Sequence, residues 1–73
     1  MSPEEIREMG QFFVDMMDNL QPNAVVLKLG LDKGKILSTS GNVPTNVWHS
    51  IIQQAKRENK LDSLKVIWKQ NKG

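Results

Sequence analysis

The chain has 73 residues, a formal net charge of +2 and no cysteine, which excludes a disulfide framework. A domain of this size hides only about 60% of the surface that its unfolded chain exposes, so most large apolar side chains are needed in one core. Its apolar runs are far shorter than the ~20 residues that span a bilayer. The polar start at Ser2–Glu8 does not resemble a secretory signal. We therefore expect one soluble, cytoplasmic domain over residues 1–73.

The first helix is indicated by its N-terminal residues. Ser2 is expected to be the N-cap, Pro3 fits the first helical position, and Glu5 completes a capping box. Apolar residues then recur at helical spacing, which predicts one buried face made of Ile6, Met9, Phe13, Met16, Met17 and Leu20. We expect Gln21-Pro22-Asn23 to end this helix.

Residues 24–40 fit two different structures. Apolar residues alternate with less apolar ones, as they do in a strand, and the apolar positions are Val25, Leu27, Leu29 and Leu31. Asp32-Lys33-Gly34 would then turn the chain into a second strand, which gives a β-hairpin. Val25, Val26 and Leu29 also share one face of a helix with Asn23 as its cap. The pattern by itself favours the hairpin, although short apolar runs do not distinguish the two structures.

The last third of the chain predicts two helices. Ser38–Asn42 has the composition of a loop, and Pro44-Thr45 begins the next helix. Its expected buried face is Val47, Trp48, Ile51, Ile52 and Ala55, and its expected solvent face is Gln53, Gln54, Lys56 and Arg57. Asn59-Lys60 breaks this helix, and Asp62 is the expected N-cap of a last one that buries Leu61, Leu64, Ile67 and Trp68. The short turn predicts an αα-hairpin.

Residues with catalytic or metal-binding chemistry are scarce. His49 is the only histidine and has no acidic residue close to it in sequence. The stretch from Gly30 to Lys35 is one residue too short between its glycines for a phosphate-binding loop, and Ile36 stands where Ser or Thr should hold magnesium. Asp15 and Asp18 lack the further ligands of a metal site. We predict that the domain is not an enzyme and uses no cofactor and no metal.

Charge is divided unevenly along the chain. Residues 1–32 carry six acids and two bases, a net −4, whereas residues 33–73 carry eight bases and two acids, a net +6. Surfaces of unlike sign suit head-to-tail contact between copies of one domain. The candidate interaction residues are the acidic set Glu4, Glu8, Asp15 and Asp18 and the basic set Lys56, Arg57, Lys60, Lys65 and Lys69. The basic half leaves a small nucleic-acid-binding module as the alternative.

Three segments together resemble the bacterial effector-associated domains. Val47–Leu64 is similar to their closing signature, which is an apolar pair, an alanine one turn on, a short charged turn and two leucines three residues apart. Leu29-Gly30-Leu31-Asp32, followed by Ile36-Leu37, resembles the family's central Leu-Gly segment and the short helix after it. Phe12–Asp15 and Leu20-Gln21-Pro22 lie about where the family has its first helix and its Phe-Pro turn, with Leu20 in place of the aromatic residue.

The resemblance implies a fold and a function. The fold is the death-like one, a compact all-α bundle of five or six helices, with an α+β fold containing the hairpin at residues 24–40 as the alternative. These domains are adaptors in bacterial conflict and antiphage defence, where a copy on a sensor or ATPase recruits a matching copy on a peptidase-type effector. The implied partner is therefore another copy or a related domain, not a membrane or a nucleic acid. The resemblance also implies that residues 1–73 are the N-terminal part of a longer protein.

Overall fold

The computed structural model describes residues 1–73 as four α-helices and no strand. The helices are α1 (Pro3–Asp15), α2 (Pro22–Leu29), α3 (Pro44–Arg57) and α4 (Leu61–Lys72), and a 3-10 turn at Lys33–Lys35 lies between α2 and α3. The all-α prediction is confirmed, but the structure has four helices and one 3-10 turn where we expected five or six helices. None of the helices is both long enough and apolar enough to cross a bilayer.

The β-hairpin alternative for residues 24–40 is wrong. Val25 and Val26 are adjacent in sequence and both are buried, which a helix allows but a strand with a single buried face does not. α2 begins at Pro22 with Gln21 as its N-cap, so Asn23 is not the cap. It ends at Gly30, whose φ of 66° lies in the left-handed region that glycine adopts without strain.

After α2, the chain makes a 3-10 turn and then reaches α3 through a segment without further helix. The Oδ1 atom of Asp32 accepts a hydrogen bond of 3.0 Å from the Gly34 N–H, which stabilises the start of the 3-10 turn. Ile36 has extended backbone, so no longer helix forms there. Ser38 Oγ then accepts a hydrogen bond from the Ser40 N–H at 3.1 Å, and Asn42 Nδ2 donates to the Ser38 carbonyl at 2.8 Å; such local bonds compete with helix formation.

α1 begins as predicted but ends one turn early. The Ser2 hydroxyl accepts from the Glu5 N–H at 3.2 Å, and the Glu5 carboxylate accepts from the Ser2 N–H at 3.4 Å, so the capping box is confirmed. The helix stops at Asp15, and residues 16–20 form turns. Met16, Met17 and Leu20 are therefore half-buried and do not extend the buried face of α1; of the three, Leu20 packs against the core.

α3 is the central helix, in contact with α1, α2 and α4. The Phe13 ring of α1 stacks on Trp48 of α3, with 4.6 Å between ring centroids and 12° between ring planes. All five residues predicted for the buried face of α3 are in the core, and so are Leu64, Ile67 and Trp68 of α4, whereas Leu61 is half-buried. The predicted apolar faces of these two helices are confirmed.

Two details of the α3–α4 hairpin differ from the predictions. Gln54 is buried, not on the solvent face, because its Nε2 donates a 2.7 Å hydrogen bond to the Glu58 carboxylate across one turn. α4 begins at Leu61 with Lys60 as its N-cap, so Asp62 lies inside the first turn, where a carboxylate interacts favourably with the helix dipole. Asn59 adopts a left-handed φ of 57° at the break between the helices.

Candidate interaction surface

The acidic residues proposed from the sequence lie on or just after α1. Glu4, Glu8 and Asp15 are exposed and, with Gln11, are spaced by four, three and four residues, which places them on one side of the helix. Gln11 Nε2 donates a 3.0 Å hydrogen bond to Asp15 Oδ1. Asp18 is exposed in the turn after the helix. Three of the four acids therefore form a stripe on the outer face of α1.

The basic residues fall into two groups. Lys56 and Arg57 are exposed in the last turn of α3 and make no ion pair within the domain. The other three already have partners within the domain. Lys60 Nζ donates to the Gly30 carbonyl at 3.2 Å, Lys65 Nζ lies 3.3 Å from Glu5 Oε2, and Lys69 Nζ lies 5.3 Å from the centre of the Trp68 ring. Lys56 and Arg57 are thus the basic pair most available to a partner.

The acidic and basic parts of the chain meet at the α1–α4 contact. The pair between Glu5 and Lys65 joins the first turn of α1 to the middle of α4. The pKa of Glu5 lies below its ordinary value, first because the Ser2 backbone donates a hydrogen bond to it and then because of Lys65. The two charged helices therefore lie side by side here, so separation of charge along the sequence is not the same as separation in space.

Glu58 is a structurally important residue that the sequence did not reveal. Its Oε2 atom accepts hydrogen bonds from the Asp32 N–H at 3.0 Å and from Gln54 Nε2 at 2.7 Å, and its Oε1 lies 3.5 Å from Lys60 Nζ. These bonds lower its pKa, that from the Asp32 backbone contributing most. Glu58 therefore fastens the segment after α2 to the α3–α4 turn. No local signal marks it, since Asp32 is 26 residues away.

A groove of about 300 Å³ runs between α1 and α3. Its apolar lining includes Ile6, Val14, Trp48 and Ile52, and its ionisable lining residues are Arg7 and His49, with no carboxylate. Gly10 also lines it, and a Cβ atom at this position would lie 3.3 Å from Ile52 Cδ1. The helices approach closely here because residue 10 has no side chain. No pattern within one segment predicts the groove, because it is lined by residues of two helices.

Polar side chains with catalytic potential are dispersed or serve the fold. Ser50 Oγ donates to the Val47 carbonyl at 2.6 Å and accepts from the Leu37 N–H at 3.1 Å, so it anchors the loop before α3. His49 is exposed on the rim of the groove. Nowhere do three or more histidine and carboxylate side chains come together as a metal site requires. The absence of enzyme activity nevertheless stays a prediction.

No protein-family model, curated protein or solved structure matches this chain. The resemblance to the effector-associated domains therefore rests on the residues named above, of which Val47–Leu64 are the most distinctive.

Proposed function

We propose that this domain is a protein-interaction adaptor that binds another copy of itself or a related domain. The observation that carries the proposal is exposed charge of both signs without ion-pair partners in the domain, namely Glu4 and Glu8 on α1 and Lys56 and Arg57 on α3. Complementary charges on two proteins raise the rate and the specificity of their association. Because one chain carries both signs, its copies can associate head to tail.

The resemblance gives this adaptor a biological setting. An all-α fold is compatible with a death-like bundle. By this resemblance, the domain recruits or clusters effectors in bacterial antiphage defence. Its partner would be a related domain on a peptidase-type effector or a sensor ATPase.

Reversal of charge on each surface tests the homotypic mechanism. We expect the unmodified domain to self-associate in sedimentation velocity experiments and to dissociate as salt is raised. The Lys56→Glu/Arg57→Glu variant and the Glu4→Lys/Glu8→Lys variant should each lose about tenfold or more in self-affinity. The Lys56→Glu/Arg57→Glu variant is acidic on both surfaces and the Glu4→Lys/Glu8→Lys variant is basic on both, so an equimolar mixture should regain assembly with the two variants alternating.

Lys33 and Lys35 offer a matched control, since both are exposed in the 3-10 turn and their reversal changes the net charge by the same amount as reversal of Lys56 and Arg57. This control variant should associate like the unmodified domain. If both test variants associate normally at every salt concentration, the electrostatic mechanism is wrong. If the unmodified domain stays monomeric and binds no related domain, the proposal of homotypic adaptor function is wrong.

The alternative function is binding of nucleic acid. Lys65, Lys69 and Lys72 are spaced by four and three residues along α4, which puts three positive charges on one side of a helix. A salt-sensitive shift of labelled duplex DNA at micromolar protein, weakened by Lys69→Glu/Lys72→Glu, would support this function. The absence of any shift would dismiss it.

A further inference from the structure

Exposed charge by itself gives a weak interface, and a stable one also needs an apolar centre that excludes water. The domain has two features that fit this requirement. The first is the α1–α3 groove, with Trp48 and Ile52 in its lining. The second is Val66 of α4, an apolar side chain that is 53% exposed.

Charges flank both features in complementary order. On α4, Asp62, Val66 and Lys69 follow at intervals of four and three residues, so an acid and a base about 10 Å apart enclose an apolar side chain. On α1, Arg7 and Asp15 are about 12 Å apart along the helix axis, with the Gln11 of the groove between them. The order on α1 is base then acid, the reverse of the order on α4, and the two spacings are nearly equal.

We propose that the outer face of α4 in one copy docks along the α1–α3 groove of a second copy. In this arrangement Val66 enters the groove, Asp62 meets Arg7, and Lys69 meets Asp15, so the two helices run parallel. This inference rests on the proposed homotypic function and names the surfaces that would meet.

The charges used in the proposed function continue the same alignment. Glu4 precedes Arg7 by about one turn of α1, and Lys56 and Arg57 precede Asp62 along the α3–α4 hairpin. In the docked arrangement, the acidic Glu4 of one copy and the basic Lys56 and Arg57 of the other therefore lie near the same, N-terminal, ends of the two helices.

A second copy is the occupant that the chain itself supports. The groove has the positively charged Arg7 and no carboxylate in its lining, so it favours an apolar side chain that has an acid beside it. Leu27, Leu37 and Val43 are also exposed, but the segments that carry them, Pro22–Leu29 and residues 36–43, contain no acid; Met1 is exposed near Glu4, but no base follows at a spacing that matches Asp15. Val66 has Asp62 one turn before it on the same helix.

The proposed contact joins two different surfaces, the α4 face of one copy and the α1–α3 groove of the next. In an assembly of several copies, the copy at one end therefore has a free groove and the copy at the other end has a free α4 face. Such a heterologous contact extends into an open assembly unless the rotation between copies closes a ring. We therefore expect self-association to continue beyond a dimer as the concentration rises.

A charge swap between Arg7 and Asp62 tests the alignment. Arg7→Glu and Asp62→Arg should each weaken self-association about tenfold, because each variant places like charges opposite one another. The double variant Arg7→Glu/Asp62→Arg restores an opposite pair, so we expect its affinity to return to within about threefold of the unmodified domain. Sedimentation velocity gives the affinities, and far-UV circular dichroism shows that each variant is folded.

Val66→Lys tests the apolar centre, with Leu27→Lys as its matched control because Leu27 is similarly exposed on another helix. Only Val66→Lys should abolish assembly. Suppose that the unmodified domain assembles and that Lys56→Glu/Arg57→Glu weakens its assembly. If the double variant Arg7→Glu/Asp62→Arg then does not regain self-affinity, this docking arrangement is wrong and the proposed function stands. If the unmodified domain never assembles, both proposals fail.

Discussion

Phe13 attaches α1 to the rest of the domain. Its side chain has no exposed surface, and its ring stacks on Trp48 of the central helix. Replacement by leucine keeps a large apolar side chain but removes the stacked ring. Phe13→Leu therefore tests the stack more specifically than a truncation to alanine, which also leaves a cavity.

The expected loss of stability follows from the packing. An aromatic pair contributes about 0.5–1.5 kcal/mol beyond the area that it buries, and leucine is smaller than phenylalanine, so part of the buried apolar area is lost as well. We expect Phe13→Leu to lower the free energy of unfolding by about 1–2 kcal/mol. At roughly 0.05–0.15 kcal/mol per residue, a domain of this length has about 4–11 kcal/mol in total, so the variant stays folded. Phe13→Ala should lose about 3–5 kcal/mol and approach unfolding.

Thermal melts followed by circular dichroism measure this loss. In a domain of this size, 1 kcal/mol shifts Tm by about 4–8 °C, so Phe13→Leu should melt roughly 4–16 °C lower. Leu27→Ala is the control, because Leu27 is 63% exposed and its truncation should change stability by less than about 0.5 kcal/mol. If Phe13→Leu melts like the unmodified domain, or if Leu27→Ala loses as much stability, α1 does not depend on this stack.

Three further predictions concern single side chains. Gly10→Ala places a methyl group 3.3 Å from the flexible end of Ile52, and alanine is the better helix former by up to about 1 kcal/mol, so the urea midpoint should stay level or rise. Gly10→Val should lower it, and a higher midpoint for valine than for alanine would contradict the close approach. Ser2→Ala removes the capping box and should lower the free energy of unfolding in urea by about 0.5–2 kcal/mol. Ser63→Ala, at an exposed position in the first turn of α4, should leave this free energy nearly unchanged. The pKa of Glu58 lies below the ordinary 4.5 in the folded state, so its stabilising effect is complete above that pH and is lost as pH falls through the folded-state pKa. Glu58→Gln should therefore flatten the acid loss of Tm, and an equally steep loss in the variant would contradict this role.

The parts of the fold that were predictable have strong local signals. The capping box at Ser2 and Glu5 fixes the start of α1 because both of its hydrogen bonds lie within the first turn. α3 has a continuous apolar stripe over several turns, and a stripe of that length occurs in helices and not in strands. In these segments, local preference and burial favour the same structure.

The remainder depends on partners distant in sequence. α2 has only eight residues, too few to be stable by itself, so its packing against α3 and α4 decides between helix and hairpin. The role of Glu58 comes from Asp32, which is 26 residues earlier. The groove is lined by residues of both α1 and α3, among them Gly10 and Ile52. None of these three features could be derived from spacing within a single segment.

The packing also determines which charge reversals can report on an interface. Lys65 belongs to the basic half of the sequence, but its 3.3 Å pair with Glu5 is part of the α1–α4 contact. Reversal of Lys65 would place two acids together inside one molecule, so weaker self-association could arise from a disturbed fold as easily as from a lost partner. Lys56 and Arg57 have no such pair, so their reversal breaks no contact inside the domain and costs only the favourable interaction of two bases with the C-terminal end of the α3 dipole, about 0.3–1 kcal/mol each. A loss of assembly in Lys56→Glu/Arg57→Glu with an unchanged Tm would therefore locate the contact on the outside of the domain, which a result at Lys65 cannot do.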